Sequence, residues 1–420
     1  MKLKYSDFRK HLGIEKMNGS AEDVAVLTHY LQNHLGQEGI YKYEKRAHTF
    51  YEVMQQNIPE IEHLSFQKLM ALKWDIPFPS PTNPTFTFID LFAGIGGFRL
   101  AFQNLGGKCL FTSEWDEQAK RTYECNFGKV PFGDITKKST KDFIPTGFDI
   151  LCAGFPCQAF SIAGRRGGFE DTRGTLFFDV AEIIKVHQPK AFFLENVKGL
   201  RNHDKGKTLA TILNVLRNDL NYYVPEPQIV NAKDFGVPQN RERIFIVGYR
   251  KDLGIDDFEY PESLDEQVAV EDILEEKEVS VKYYLSTQYL KTLKEHKARH
   301  ESKGNGFGYE IIPRDGIANA VVCGGMGRER NLIIDDRLTD FTPVTKIKGE
   351  VNREGIRKMT PREWARLQGF PDAFKICVSD VQAYKQFGNS VAVPAIQATA
   401  AKLLEKLNTL TEGPHAAIRE

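Results

Sequence analysis

The sequence predicts an α/β protein built on an open sheet, and three stretches carry that expectation. Phe148-Asp-Ile-Leu-Cys-Ala is an apolar run without helical period, broken at once by Gly154-Phe155-Pro156. Phe86-Thr-Phe-Ile-Asp-Leu is a second run, and it leads through a glycine turn into a helix. Lys190-Ala-Phe-Phe-Leu is a third, ending in Glu195-Asn196. Each run sets its polar or turn-forming residues at its carboxyl end, the edge of an open α/β sheet where ligands bind.

Bulk properties narrow the class. The chain has 420 residues, enough for two domains, with 41% hydrophobic and 27% charged residues, as in ordinary globular proteins. No apolar run reaches membrane length, and Met1-Lys-Leu-Lys-Tyr-Ser-Asp leads into no signal-peptide core. None of the six cysteines forms a Cys-x-x-Cys pair, so no metal site is expected. The net charge is +0, so any nucleic-acid surface must be local.

Residues 1–84 read as a helical N-terminal extension. Ser20-Ala-Glu-Asp followed by Val24, Val26, Leu27, Tyr30, Leu31 and Leu35 predicts a capped amphipathic helix. Further helices are expected around 43–56 and 61–73, and the Pro-rich stretch 75–85 reads as a linker. The segment carries no legible chemistry. It is either a packing extension or a small DNA-contacting module.

After the first strand, Gly94, Gly96 and Gly97 let a ligand approach a helix N-terminus, in a pattern that departs from G-x-G-x-x-G. Lys108-Cys-Leu-Phe-Thr-Ser-Glu114-Trp115 places an acid at a second strand end, where a carboxylate suits ribose hydroxyls and Trp115 could lie on an adenine ring. Val130-Pro-Phe-Gly-Asp134-Ile135 is read as a third strand end with another acid. Three such positions in order suggest a nucleoside-bearing cofactor.

Cys157 follows the stiff turn at Pro156, either as a nucleophile or as a buried thiol beside a turn. The loop 162–174 holds four glycines and three arginines, suited to motion and to anions, and 176–187 reads as a helix. Glu195 ends the next strand, where burial favours a raised carboxyl pKa. Arg241 and Arg243 alternate along a later strand and are expected to point together, onto a carboxylate or a phosphate. Composition then shifts. Residues 255–280 hold eleven acids against one lysine, and 281–303 hold six Lys/Arg against two acids, with Tyr283, Tyr284 and Tyr289 interleaved. With the glycine-rich loops at 304–309 and 322–331, about 265–355 reads as a small domain with DNA as its partner. Thr360, Pro361 and Glu363 form a helix start, and Gly388-Asn389-Ser390-Val391 leads into a last helix to about 408.

Taken together, DLFAGIGG, SEWD, GDI, GFPCQAFS, LENV, QNRERIFIVG, RLQGFP and GNSV resemble the motifs of the cytosine-5 DNA methyltransferase family, of bacterial restriction–modification type. They stand in that family's order and span about 86–400. The resemblance implies a doubly wound, mostly parallel α/β sheet of the S-adenosylmethionine-dependent methyltransferase type, with a second, smaller target-recognition domain. It implies a catalytic domain over 85–260 completed by 380–410, target recognition at 265–355, a connector at 356–379 and a tail at 411–420. The implied reaction moves a methyl group from S-adenosylmethionine to carbon-5 of a flipped-out cytosine in double-stranded DNA.

Residue by residue, the resemblance gives Cys157 as nucleophile and Glu195 as acid, with Arg241 and Arg243 beside the target base. Phe92, Ala93, Gly94, Ile95, Gly96, Gly97, Glu114, Trp115, Asp134, Ile135, Leu176, Asn389 and Ser390 fall to the cofactor. Gln158, Ser161, Arg165, Arg166, Gln239, Arg328 and Arg330 fall to DNA. A monomer acting in a prokaryotic cytosol is expected, alongside a possible cognate restriction endonuclease. The alternatives are a tRNA cytosine-5 methyltransferase, a DNA-binding regulator acting through the N-terminal helices, and a catalytically dead binding homologue. Intact Cys157 and Glu195 argue against the last.

Overall fold

The computed structural model describes residues 3–13, 21–34, 41–156, 176–264, 267–306, 308–324, 327–344 and 349–409. Cys157, Gln158, Ser161, Arg165, Arg166 and the loop 162–174 lie outside the described residues. The chain forms two compact units. One comprises Met1–Val230, Arg243–Pro261 and Ile396–Glu420, and the other Asn231–Glu242 and Glu262–Ala395.

The first unit opens with α1 (Tyr5–Arg9), α2 (Ala21–Asn33), α3 (Tyr41–Asn57) and α4 (Phe66–Met70). It continues as β1 (Phe86–Leu91), α5 (Gly97–Asn104), β2 (Gly107–Ser113), α6 (Glu117–Phe127), α7 (Lys138–Lys141), β3 (Ile150–Gly154), α8 (Leu176–His187), β4 (Ala191–Val197) and α9 (Lys207–Asn214). The short β5 (Tyr222–Tyr223) and β6 (Gln228–Asn231) follow. In the second unit come β7 (Gln239–Asn240) and the start of β8 (Glu242–Arg250), a strand that runs on into the first unit.

The sheet has the order β2-β1-β3-β4-β8-β5, with β6 also on β8. The first four strands are parallel, whereas β8 runs antiparallel to β4. Every residue of β1 and β2 is buried, as expected of parallel strands covered on both faces. Because β2 and β3 lie on opposite sides of β1, the chain reverses direction between β1 and β3. That switch point is where an open sheet leaves a crevice beyond its strand ends.

Three expectations are corrected here. The strand read at 130–135 shrinks to one bridge, Ser113 to Phe132, because Pro131 has no N–H to give a ladder. The helix expected at 61–73 divides into a turn at Pro59–Ile61 and α4, which restarts where Ser65 caps Lys68. The stretch 75–85 is no boundary: Tyr5 and Arg9 both bind the buried Glu124 carboxylate of α6, and Trp74 packs on Tyr5 with ring centroids 4.7 Å apart. The N-terminal helices share one core with the sheet.

The second unit contains α10 (Thr287–Glu301), β9 (Ala318–Asn319), β10 (Leu332–Ile334), β11 (Ile356–Lys358), α11 (Pro361–Leu367), α12 (Asp380–Asn389) and the first turn of α13 (Val393–Asn408). Its strands pair as β10–β11 and β7–β9. Leu285, Leu290, Leu293, Leu332 and Ile356 form a core cluster. The expected connector 356–379 is integral to this unit: Arg357 lies fully buried, bonded to Asp335 and Glu363 at 2.8 Å each. Residues 231–242 also belong here, and the chain rejoins the sheet unit at Ile396 rather than 380.

Candidate active site

The cofactor candidates that follow β1 and β2 gather at the switch point. After β1 the backbone turns left-handed at Phe92 (φ 54°), Gly94 (φ 55°) and Gly96 (φ 90°). Gly96 is required there, since a Cβ would lie 2.3 Å from the Phe127 ring. The turn delivers Gly94 N–H to the Glu114 carboxylate at 2.8 Å, and Trp115 and Asp116 N–H donate to its other oxygen at 2.8 and 2.7 Å. Burial pushes the Glu114 carboxyl up, and the three backbone donors oppose that push.

Phe92, Glu114, Trp115, Asp134, Ile135 and Leu176, all expected from sequence, line one cavity. Ser113, Gly133, Thr136 and Pro156 complete it and were not foreseen as site residues. Their only signal was adjacency to the strand-end acids and to Cys157. Ala93, Ile95 and Gly97 do not line it: Ala93 and Ile95 are buried, Ala93 N–H donating to Ser113 O at 2.9 Å, and Gly97 begins α5. The lining fits a nucleoside. It offers a carboxylate for ribose hydroxyls at Glu114, a second acid at Asp134, and aromatic surface at Phe92 and the 76% exposed Trp115.

Beside this pocket, Glu195 stands near the end of β4, directly opposite Gly154 of β3. In the antiparallel ladder Val197 faces Arg243, which makes Arg243 a diagonal neighbour of Glu195 on one face. Arg243 Nε lies 3.0 Å from Glu195 Oε1, and the two side chains retain 18% and 10% exposure. Asn196 donates to Phe155 O at 2.9 Å, tying this strand end to the turn before Cys157. Pro156, which lines this cavity, is bonded directly to Cys157.

Arg241 does not point with Arg243. It precedes β8, so the strand alternation that would aim it with Arg243 does not apply. Its buried guanidinium donates instead to Val321 O at 2.7 Å, Gly388 O at 3.1 Å and Ser390 O at 2.5 Å, all within the second unit. Gln239 is likewise a structural clamp. It is fully buried, donates to Leu367 O at 2.8 Å and accepts from Val321 N–H at 2.9 Å.

Asn389 and Ser390 belong to the second unit, where Asn389 is exposed and Ser390 O accepts from Arg241. Arg330 is exposed, and Arg328 is half-buried with its guanidinium 5.5 Å from the Tyr384 ring centroid. Between and after them, buried Glu329 and Asn331 anchor the loop: Tyr289 donates to Glu329 at 3.1 Å, and Asn331 accepts from Asn319 N–H at 2.8 Å.

The sequence model of C-5 cytosine-specific DNA methylases matches residues 86–405. The type II methyltransferase M.HpaII of Haemophilus parainfluenzae is 77% identical over 337 residues, covering 79% of this chain and 94% of that protein. M.HhaI of Haemophilus parahaemolyticus is 41% identical over 329 residues, covering 76% of this chain and 95% of its own. The solved Entamoeba histolytica methyltransferase EhMeth aligns with a TM-score of 0.58 at 20% identity, over 77% of this chain and 98% of its own, a likeness of fold. A strand-end carboxylate pocket beside a glutamate held next to the cysteine turn therefore has close sequence relatives of one chemistry. The chain belongs to the C-5 cytosine-specific DNA methylase family and is a DNA (cytosine-5-)-methyltransferase that uses S-adenosylmethionine.

Proposed function

We propose that this methyl transfer proceeds through Cys157 as a covalent nucleophile, with Glu195 as the group that engages the cytosine ring. The observation that carries the assignment is the Glu195–Arg243 pair at 3.0 Å, with Glu195 set opposite Gly154, which stands three residues before Cys157 in sequence. Carbon-5 of cytosine is a weak nucleophile. Addition of the Cys157 thiolate to carbon-6 forms an S–C bond and leaves carbon-5 enamine-like. When bound, S-adenosylmethionine would supply an electrophilic sulfonium methyl group for carbon-5, its S–CH3 bond breaking to leave the neutral thioether S-adenosylhomocysteine. Loss of the carbon-5 proton to a base then re-forms the ring double bond and expels Cys157.

Glu195 hydrogen-bonds the ring nitrogen and exocyclic amine, sharing a proton as electron density shifts. Arg243 fixes the carboxylate's position across the strand pair. Glu114 and Asp134 hold the cofactor's ribose and base end, and Trp115 its flat face. Arg241 is a positioning residue that holds carbonyls of its own unit. The target base is extruded from the duplex, because carbon-6 is unreachable within the stack. The second unit, within about 265–355, reads the target, with Arg328 and Arg330 on its anchored loop as candidates for base edges.

The relatives' designation as type II methyltransferases supports a DNA-modification role; a partner restriction endonuclease, action in the cytosol and a monomeric enzyme are part of the same proposal. The test is duplex DNA carrying 5-fluorocytosine in the target, whose fluorine blocks the elimination step. Wild type forms a denaturation-resistant adduct and Cys157→Ala forms none; an adduct with Cys157→Ala overturns the assignment.

A further inference from the structure

β2 ends the sheet on one side, so the N–H and C=O groups on its outer edge need partners from elsewhere. Helix α2 supplies them. His29 Nε2 accepts from Thr112 N–H at 3.3 Å, and Asn33 donates to Leu110 O at 2.8 Å. The same helix face grips the stretch that runs alongside. Gln32 donates to Phe127 O at 2.7 Å, and Thr28 Oγ1 accepts from Val130 N–H at 3.0 Å. Lys129 Nζ donates to both Asn33 Oδ1 at 3.1 Å and Cys109 O at 2.6 Å. Thr28, His29, Gln32 and Asn33 are spaced to share one helix face, and all four are buried.

The gripped stretch leads straight into the cofactor pocket. Phe132 N–H donates to Thr112 O, and Glu114 N–H donates to Phe132 O, both at 2.9 Å. The Phe132 ring stacks on Phe111 at 5.1 Å and lies 4.6 Å from His29. The next four residues are Gly133, Asp134, Ile135 and Thr136, one wall of the cavity. The stretch that leads into that wall is thus clamped between β2 and a helix lying wholly outside the 86–405 family match.

We propose that α2 positions this wall, so that Thr28, Gln32 and Asn33 set the affinity for S-adenosylmethionine without touching it. The inference rests on the cavity being the cofactor's site. It replaces the reading of the N-terminal segment as a DNA-contacting module.

The experiment measures S-adenosylmethionine affinity by calorimetry without DNA, kcat at saturating cofactor, and DNA affinity. The full-length proteins compared are wild type, Thr28→Val, Thr28→Ser and Trp115→Ala. Thr28→Val keeps the shape but leaves Val130 N–H without its acceptor. It is expected to weaken cofactor binding about three- to tenfold, with kcat and DNA affinity within about twofold of wild type, and Thr28→Ser restores binding. Gln32→Leu removes the bond to Phe127 O together with those that Gln32 Oε1 accepts from Ser80 and Arg99, and reads out the same split if Thr28→Val does not fold. Unchanged cofactor affinity beside a lowered melting temperature overturns the proposal, leaving a merely structural role. A loss confined to DNA affinity overturns it in favour of a DNA contact. Trp115→Ala must weaken cofactor binding in any case; if it does not, the pocket assignment fails and the inference with it.

Discussion

Arg357 and Arg243 each hold a carboxylate, and their surroundings differ. Arg357 is fully buried: its guanidinium binds both Glu363 oxygens and Asp335, which also takes Arg337. Glu363 further accepts from Thr360 and Glu275 N–H groups. Burial alone would raise the Asp335 carboxyl, but hydrogen bonds from Arg337 and Arg357 outweigh it and hold that group well below the usual carboxylate range. Glu195 and Arg243 instead meet at a sheet end and keep some exposure, with the cysteine turn alongside. The first group is closed on itself and serves the fold. The second keeps partial exposure beside that turn.

The comparison is sharpened first by chemistry. Cys157→Ala should lower the methylation rate by more than about a thousandfold while cofactor affinity by calorimetry stays near wild type. A residual rate above that level would remove the covalent step.

Arg357→Met tests the closed group. Removing one partner of a buried pair should cost about 3–5 kcal/mol of stability in urea unfolding, with kcat per folded molecule unchanged. A loss below about 1 kcal/mol would mean that the network is as weak as a surface pair. Glu195→Gln tests the open one. Single-turnover methylation should slow on the order of a hundredfold, with DNA affinity and urea midpoint retained. A rate loss matched by an equal loss of DNA binding would make Glu195 a positioning residue only.

The smallest effect separates the two units by pH. Burial, then the nearby Lys129 charge, pushes His29 well below its usual 6.5, so native His29 is neutral and accepts from Thr112 N–H. The unfolded chain takes up a proton below about pH 6.5 and the folded chain does not, so this contribution is full above that pH and falls as pH drops. The stability advantage of wild type over His29→Gln should therefore stay constant above pH 6.5 and shrink by up to roughly 1.4 kcal/mol per unit below it. The Asp335 contribution runs the same way at lower pH, present above its ordinary 3.8 and lost only as pH falls further. A difference between wild type and His29→Gln that ignores pH from 7 to 5 would show that His29 does not hold the edge.

What could be read from sequence was local. β1, β3 and β4 announce themselves as apolar runs, Glu195 as an acid near the end of β4 and Glu114 as one directly after β2, whereas Asp134 follows a single bridge rather than a strand. The placements that could not be read depend on partners far away in the chain. Arg241 and Arg243 look alike two residues apart, yet the start of β8 between them sends one to carbonyls at 321, 388 and 390 and the other to Glu195. Gln239 looks like a base-reading amide until Leu367 and Val321 occupy it. The apolar stripe of α2 was plain. Its polar face was not, because Thr28 to Asn33 acquire meaning only against strand groups some eighty to a hundred residues on.

The second unit enters the chain in two pieces, and this bears on how specificity can be exchanged among relatives. β7 pairs with β9 through Gln239 and Ala318, and Arg241 and Gln239 are fitted to carbonyl and amide groups of the later piece. A graft of 262–395 alone would set a foreign insert against a resident 231–242 shaped for another lodger. The cassette that recombination can move intact is therefore a pair of fragments straddling the last long strand, and hybrids cut only once should be selected against for assembly before their target preference is ever tried.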